Sequence, residues 1–369
     1  MSKQIGIREL AERAKKEGAY DLAQGVIAAP PPEVLVKALG KLSIESVSGY
    51  DNKRGVLKYR EAVRTYLSTR GWDLSVDNIL GTAGATGGMV GVLLNDCRPG
   101  DKVLLPEPFF IGHKLMLEAL GFEVEYYKVP LNEQPDWEEI KGKMSSIKAL
   151  ILTTPSNPTG QVASVDILKS LSEVASEKNC LLILDEMYRE FIWSEEVLDD
   201  SAYADIDLTK TVIVRSFSKT FAIPGWRVGF VITSPERAEE MATKHDALYL
   251  GGSTLAQNAL AEVLDNNLDE LNEYVANLRE LLQENMKLLA RAFKEYGFTP
   301  LPVPATYYML LKHGRDDDMA VVEELIAKKI VTTPLNVLYS DVDKNTGYIR
   351  IHFALTSETV KGVQEILLA

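Results

Sequence analysis

The stretch IVRSFSKTFAIPGWRVGF, residues 213–230, decides how this chain is read. It begins as a buried strand begins, with Val212, Ile213 and Val214 in a row and Phe217 close behind. It then sets Lys219 and Arg227 among Gly, Pro, Trp and Phe. Cations in so apolar a segment are either solvated surface charges or partners of an anion, because a buried charge needs a counterpart. The chain carries 40 Lys and Arg against 53 Asp and Glu, a formal net charge of -13. That balance excludes non-specific nucleic-acid binding, which needs a basic face. An acidic protein that binds an anion must concentrate its cations locally, and residues 213–230 do so.

Working outward, residues 55–235 alternate between helix and strand. Amphipathic helices are expected in LKYREAVRTYLSTRG (57–71), GATGGMVGVLLNDC (84–97), HKLMLEALG (113–121) and DILKSLSEVASEKN (166–179). Between them lie short runs that are apolar throughout: DKVLLPEP, ALILTTPS, CLLILDEMY and KTVIVRSFS. Such runs separated by helices predict an α/β fold with a mostly parallel sheet covered on both faces. Residues 268–297 then hold a helical period as one long helix, and TYYMLL and YIRIHFAL close the chain as strands of a smaller α+β unit. The expected division is 45–261 for a large domain, with 1–44 and 262–369 forming a small domain and N-terminal arm.

Several classes fall away. Cys97 and Cys180 are the only cysteines, each beside an apolar run, and read as buried thiols. The four histidines (His113, His245, His313, His352) lack ligand spacing, so no metal is expected. The N-terminus MSKQIGIREL has no apolar core of a signal peptide, and no stretch is long and apolar enough to span a membrane, which predicts a cytoplasmic protein. The glycines of GTAGATGG fit neither the dinucleotide-binding nor the P-loop pattern.

In open parallel sheets, ligands sit at the C-terminal ends of the strands. The polar residues that follow the apolar runs are Asn157, Asp185, and Ser216 with Lys219. An amide, a carboxylate, a hydroxyl, a lysine and an arginine at one edge suit a ligand with a cationic ring nitrogen, a phenolate-like oxygen, an aldehyde and a phosphate. Pyridoxal 5'-phosphate has all four. A lysine amine forms a Schiff base with the aldehyde, a carboxylate keeps the ring nitrogen protonated, and helix N–H groups with an arginine bind the phosphate.

Along nearly its whole length the sequence resembles the class I/II aminotransferases of PLP fold type I. SFSKTFAIPGWRVGF is similar to their Schiff-base motif, which implies Lys219 as the Schiff-base lysine and Ser216 and Arg227 as phosphate ligands. DEMY implies Asp185 as partner of the ring nitrogen and Tyr188 as a donor to the ring oxygen; PSNPTG implies Asn157 as the second donor. GATGG implies a phosphate cup at Ala85 and Thr86, and PEPFF an aromatic ring, Phe110, over the cofactor. GYDNKRG implies Tyr50 as a phosphate ligand reaching from a neighbouring subunit, hence a homodimer with shared sites. YIRIHFAL implies Arg350 as the clamp on the substrate α-carboxylate, and LAQGV implies Gly25 as a backbone wall of the substrate pocket.

The activity so implied is ping-pong transfer of an amino group from an L-amino acid to a 2-oxo acid. A β-elimination, C–S or cyclopropane-carboxylate-synthase-like lyase shares every motif and stays open here. Tyr188, Phe109, Tyr249, Tyr307, Tyr308 and Tyr339 suggest an aromatic or bulky apolar donor. A DNA-binding regulator that carries this fold is not expected, because the first motif, at Gly25, leaves no room for a domain ahead of it.

Overall fold

A computed structural model describes residues 6–194 and 200–369; the first half of the N-terminal stretch noted above, residues 1–5, lies outside them. Along the chain the strands are β1 (Tyr20–Asp21), β2 (Ile79–Thr82), β3 (Lys102–Glu107), β4 (Glu123–Lys128), β5 (Ala149–Thr153), β6 (Leu181–Asp185) and β7 (Thr211–Arg215). They continue with β8 (Gly229–Ile232), β9 (Thr299–Pro300), β10 (Tyr308–Lys312), β11 (Ile330–Val331), β12 (Thr333–Pro334) and β13 (Tyr348–His352).

Seven strands form the central sheet in the order β2-β8-β7-β6-β5-β3-β4. The pairs β3–β4, β3–β5, β5–β6 and β6–β7 are parallel, and β8 alone runs against its neighbours β2 and β7. The expected mostly parallel sheet is therefore present. Its uninterrupted apolar runs have a physical cause: successive side chains alternate between two faces and both are covered. Leu104, Leu150, Leu182 and Ile213 join one core, which also holds the helices Leu57–Ser68 and Thr254–Asn266. Val103, Ile151, Ile183 and Val212 join the other, against the helix Gly84–Asp96.

Helix limits follow local chemistry. Ser164 Oγ accepts the Ile167 N–H to cap the helix Val165–Lys178, and Asn179 ends it in the left-handed region at φ 53°. Ser234 and Ser253 cap the helices Pro235–Tyr249 and Thr254–Asn266 in the same way.

The long helix appears as Leu268–Glu295. Its Leu278, Leu282, Leu289 and Phe293 pack into a separate core with strands β10 and β13 and the helix Ser357–Leu368. Here the sheet is antiparallel, in the order β12-β13-β10-β9. The helix Ile7–Glu17 lies on this second core through Leu10 and Ala14. The helix Glu33–Lys41 packs instead against Thr254–Asn266 of the first core, which Leu35 and Ala38 join. Cys97 and Cys180 are buried free thiols, as expected. Among the described residues no helix is long and apolar enough to cross a membrane.

Candidate active site

Because β3, β5, β6 and β7 run in parallel, their C-terminal ends share one edge of the sheet. Phe110 follows β3, Asn157 follows β5, Asp185 ends β6 and Lys219 follows β7; all four line one cavity of about 940 Å³. Ala85, Thr86 and Arg227 line it from the side of the central sheet, and Gly25, Tyr188 and Arg350 from the side of the second core. Of the expected cofactor and substrate ligands, Ser216 and Tyr50 do not line it; of the aromatic residues taken to suggest the donor, Tyr188 and Tyr308 do, and Phe109, Tyr249, Tyr307 and Tyr339 do not.

One end is built for an anion. Ala85 and Thr86 lie in the first turn of the helix Gly84–Asp96, which has no side-chain cap, so its first N–H groups face the cavity without such a partner. The Ala83 N–H just before them donates to His245 Nε2 at 3.0 Å. Gly84 has φ +71°, and a Cβ there would stand 2.7 Å from the Arg227 guanidinium, so only glycine lets the arginine close on the turn. Arg227 donates to the Pro224 carbonyl at 3.0 Å.

Ser216, expected as a ligand, sits one layer back. Its Oγ donates to the Val228 carbonyl (2.6 Å), accepts the Ser218 N–H (3.0 Å) and lies 2.8 Å from Ser218 Oγ. Ser218 is the hydroxyl that lines the cavity. The N-cap role holds Ser216 in the turn that starts the helix Phe217–Thr220 and so aims Lys219. Tyr50 is 85% exposed on the surface of the chain.

At the floor, Asp185 Oδ2 lies 3.0 Å from His113 Nε2, and both side chains are buried. Nδ1 of His113 has no partner among the described residues. His113 belongs to the helix Ile111–Ala119, and Phe110 stands edge-on to it with ring centres 5.2 Å apart. Lys219 Nζ donates to the Gly25 carbonyl at 3.2 Å, as does the Tyr307 hydroxyl. Tyr188 and Tyr308 bring their hydroxyls to 3.3 Å. Burial pushes Tyr188 well above the usual phenol range, with Tyr308 adding to it, so the phenol stays protonated and able to donate.

At the far side, Arg350 donates to Asn157 Oδ1 (2.8 Å) and to the Ala23 carbonyl (2.9 Å). Its Nε is buried without a partner among the described residues. The wall nearer solvent is apolar, from Ile7, Val26, Phe110, Ile111, Leu115 and Met116.

The charges define what the cavity takes. Lys219, Arg227, Arg350 and Arg8 line it, against one carboxylate, Asp185, already beside His113. In a chain of net charge -13 this concentrates positive charge at one place. A cradle that a Cβ at Gly84 would fill, with a buried donor at Arg350, Nε, that has no partner among the described residues, fits a ligand bearing a phosphate at one end and a carboxylate at the other. Pyridoxal phosphate joined to an amino acid has that shape of charge.

His113 and Ser218 were not found by sequence reasoning, and Tyr308 was named only among the aromatic residues that suggest the donor. His113 stands in an ordinary-looking amphipathic helix, and only the turn of that helix at the end of β3 carries it over Asp185. Ser218 was visible beside Lys219 in SFSK, where Ser216 was chosen instead.

An anion cradle, a buried carboxylate and a lysine gathered in one cavity are the makings of a site for a small anionic ligand. The sequence model of the family "Aminotransferase class I and II" matches residues 17–367, and the chain belongs to that family. An aspartate aminotransferase of Pyrococcus horikoshii is 27% identical over 368 residues, 96% of this chain and 92% of that one. A probable kynurenine–oxoglutarate transaminase of Saccharomyces cerevisiae is 25% identical, with 86% of this chain and 76% of that one covered. Among solved structures, a methionine aminotransferase of Escherichia coli superposes with a TM-score of 0.90 at 24% identity, covering 100% of this chain and 97% of that one. N-succinyldiaminopimelate aminotransferase of Mycobacterium tuberculosis gives 0.89 at 25% identity, with 98% and 96% covered. The fold is thus that of the fold type I aminotransferases.

Proposed function

We propose that the protein is a pyridoxal-phosphate-dependent aminotransferase that moves the amino group of an L-amino acid to a 2-oxo acid in two half-reactions. The observation that carries this reading is the cavity's own charge pattern: cations at both ends, one buried carboxylate at the floor, and one lysine between them. When bound, the cofactor supplies an aldehyde and a protonated ring that draws electrons from the substrate α-carbon.

Each residue then has a task its surroundings support. The Ala85 and Thr86 N–H groups, Arg227 and the Ser218 hydroxyl hold the phosphate, and Ser216 fixes Ser218. Asp185, positioned by His113, keeps a proton on the ring nitrogen. Tyr188 and Asn157 hold the ring oxygen, and Phe110 covers one ring face. Lys219 Nζ is the covalent anchor and carries the α-proton; its bond to the Gly25 carbonyl keeps it at the substrate side. Arg350 grips the substrate α-carboxylate, and Gly25 leaves the backbone open to it. The apolar outer wall supports an aromatic or bulky apolar donor.

Tyr50 completes the phosphate site of a second subunit, which makes the active form a homodimer. The residues 45–261 serve as the cofactor-binding domain, with 1–44 and 262–369 as the small domain and N-terminal arm. Two buried free thiols support work in a reducing cytoplasm.

The test is a donor screen with 2-oxoglutarate and pyruvate as acceptors, combined with borohydride trapping and peptide mapping. Label on Lys219, and oxo-acid formation without ammonia release, are the expected results. Label on another lysine would sink the site assignment, and stoichiometric ammonia would make the enzyme a lyase.

A further inference from the structure

Arg350 is 2% exposed, yet among the described residues no carboxylate pairs with it. Its protein partners are an amide oxygen, a backbone carbonyl and one aromatic face: the guanidinium carbon lies 4.3 Å from the centre of the Tyr308 ring. A buried guanidinium without a counter-ion is costly, and burial pushes Arg350 below its ordinary range. Something must hold both its charge and its orientation before substrate arrives.

Tyr308 is placed to do so. On β10 it stands two residues from Leu310, the residue paired with Arg350 on β13, which makes it a diagonal neighbour on the same face. Its own ring is held tightly. The hydroxyl lies 3.3 Å from that of Tyr188, whose ring meets it edge-on at 5.8 Å. Gly25 presses against it from the substrate side, where a Cβ would come within 2.6 Å of the ring carbons. The ring therefore cannot swing away from the arginine without displacing Tyr188 or the Gly25 segment.

We propose that the ring face of Tyr308 is the resident partner of Arg350, holding the guanidinium in plane and charged until a substrate carboxylate takes it up. Tyr308 is then a positioning residue for carboxylate recognition, and Gly25 is glycine because this ring needs its space. The proposal rests on the reading of Arg350 as the α-carboxylate clamp.

The test separates ring electrons from ring shape. Phenylalanine at position 308 serves as reference, followed by phenylalanines carrying one to four ring fluorines, which keep nearly the same volume and drain the face of charge. The probe is 3-phenylpropionate, a monocarboxylate without an amino group, titrated calorimetrically into each holoenzyme. Kd is expected to rise stepwise with fluorine number, by about five- to thirtyfold across the series, while the thermal midpoint stays level. Arg350→Lys in the reference protein is expected to weaken the probe as well. A flat fluorine series together with a weakened Arg350→Lys variant overturns the role of Tyr308 and leaves the clamp standing. Unchanged binding by Arg350→Lys overturns the clamp and the inference with it.

Discussion

His113 Nε2 lies 3.0 Å from Asp185 Oδ2, and the pair is buried at the floor of the cavity. The other oxygen, Oδ1, accepts the Met187 N–H at 3.3 Å. With both oxygens engaged, the carboxylate is fixed in direction rather than free to turn, and direction is what a proton-holding group at a ring nitrogen requires. Asp185→Ala is expected to lower the rate of the first half-reaction by several orders of magnitude. His113→Phe removes only the orienting contact and should cost about tenfold to a hundredfold, the worth of a hydrogen bond to a charged group. Single-turnover absorbance with a fixed donor measures both; a His113→Phe enzyme as slow as Asp185→Ala would make the histidine an equal partner in the chemistry.

Arg350→Lys keeps a positive charge but loses the two-pronged geometry that Asn157 and Ala23 hold in place. The expected loss is about 2–4 kcal/mol in kcat/KM, the same for every amino acid tried. A loss confined to acidic donors would make Arg350 a reader of side chains instead.

Behind the site, Asp200 receives Arg189, Arg215 and the Trp72 indole N–H at 2.7–2.9 Å. Arg215 also binds Glu186, the residue after Asp185, and itself precedes Ser216. Burial pushes the Asp200 carboxyl up, but the two arginines outweigh it and hold it below the usual carboxylate range. Asp200→Ala removes the carboxylate that Arg189 and Arg215 share and the acceptor of the Trp72 indole, leaving Glu186 to Arg215, and should destabilise the fold by about 3 kcal/mol. Urea unfolding checks this; a midpoint near that of the unaltered protein would show that the network is replaceable by water.

What the sequence disclosed follows from where the chemistry is local. Ser216, Lys219 and Arg227 lie within one stretch of twelve residues, and Asp185 with Tyr188 within four, so short motifs carry them. The parallel sheet was legible because strands buried on both faces lose all polar alternation, as β5, β6 and β7 do. Contacts made across the fold leave no such mark. His113 reaches Asp185 from another strand's helix, Tyr308 meets Arg350 only through the β10–β13 pairing, and Asp200 joins Arg215 through tertiary packing. Glu186, the second residue of DEMY, is likewise bound to Arg215 through the β6–β7 pairing, a contact the motif does not disclose.

Two buried histidines give the protein an acid limit. Burial pushes His245 from the ordinary 6.5 down to about 4, and His352 down to about 3, the latter helped by Arg350. Their hydrogen bonds require opposite tautomers: His245 Nε2 accepts the Ala83 N–H, whereas His352 Nε2 faces the Asp21 carbonyl and must donate. Between pH 6.5 and those lower values the unfolded chain binds protons that the folded chain refuses, so stability falls as pH is lowered. Each histidine adds a slope of up to about 1.4 kcal/mol per pH unit. His245→Gln and His352→Gln should each flatten the decline in urea midpoint between pH 6.5 and 4. Parallel curves for variant and unaltered protein would refute it.

The proposed dimer rests on Tyr50, which is 85% exposed and stands outside the cavity of its own chain. Large apolar side chains nearby in the sequence, Ile44 and Leu57, are exposed as well, as are Leu250 and Leu255 of a segment that meets the Tyr50 stretch. A Cβ at Gly251 would lie 3.8 Å from the Asn52 carbonyl, which places the two segments side by side. An apolar surface of this kind suits a partner, and it must outweigh the Coulomb repulsion between two chains of charge -13 each. If Tyr50 serves the partner's phosphate, each site takes its lysine from one subunit and its tyrosine from the other. Lys219→Ala abolishes turnover, and Tyr50→Ala should weaken cofactor retention and activity. Mixing the two proteins and allowing subunits to exchange creates heterodimers in which one of the two sites has both residues intact, so activity should return in part. Absence of recovery after demonstrated exchange, or full activity in a monomer on a sizing column, would show that each chain completes its own site.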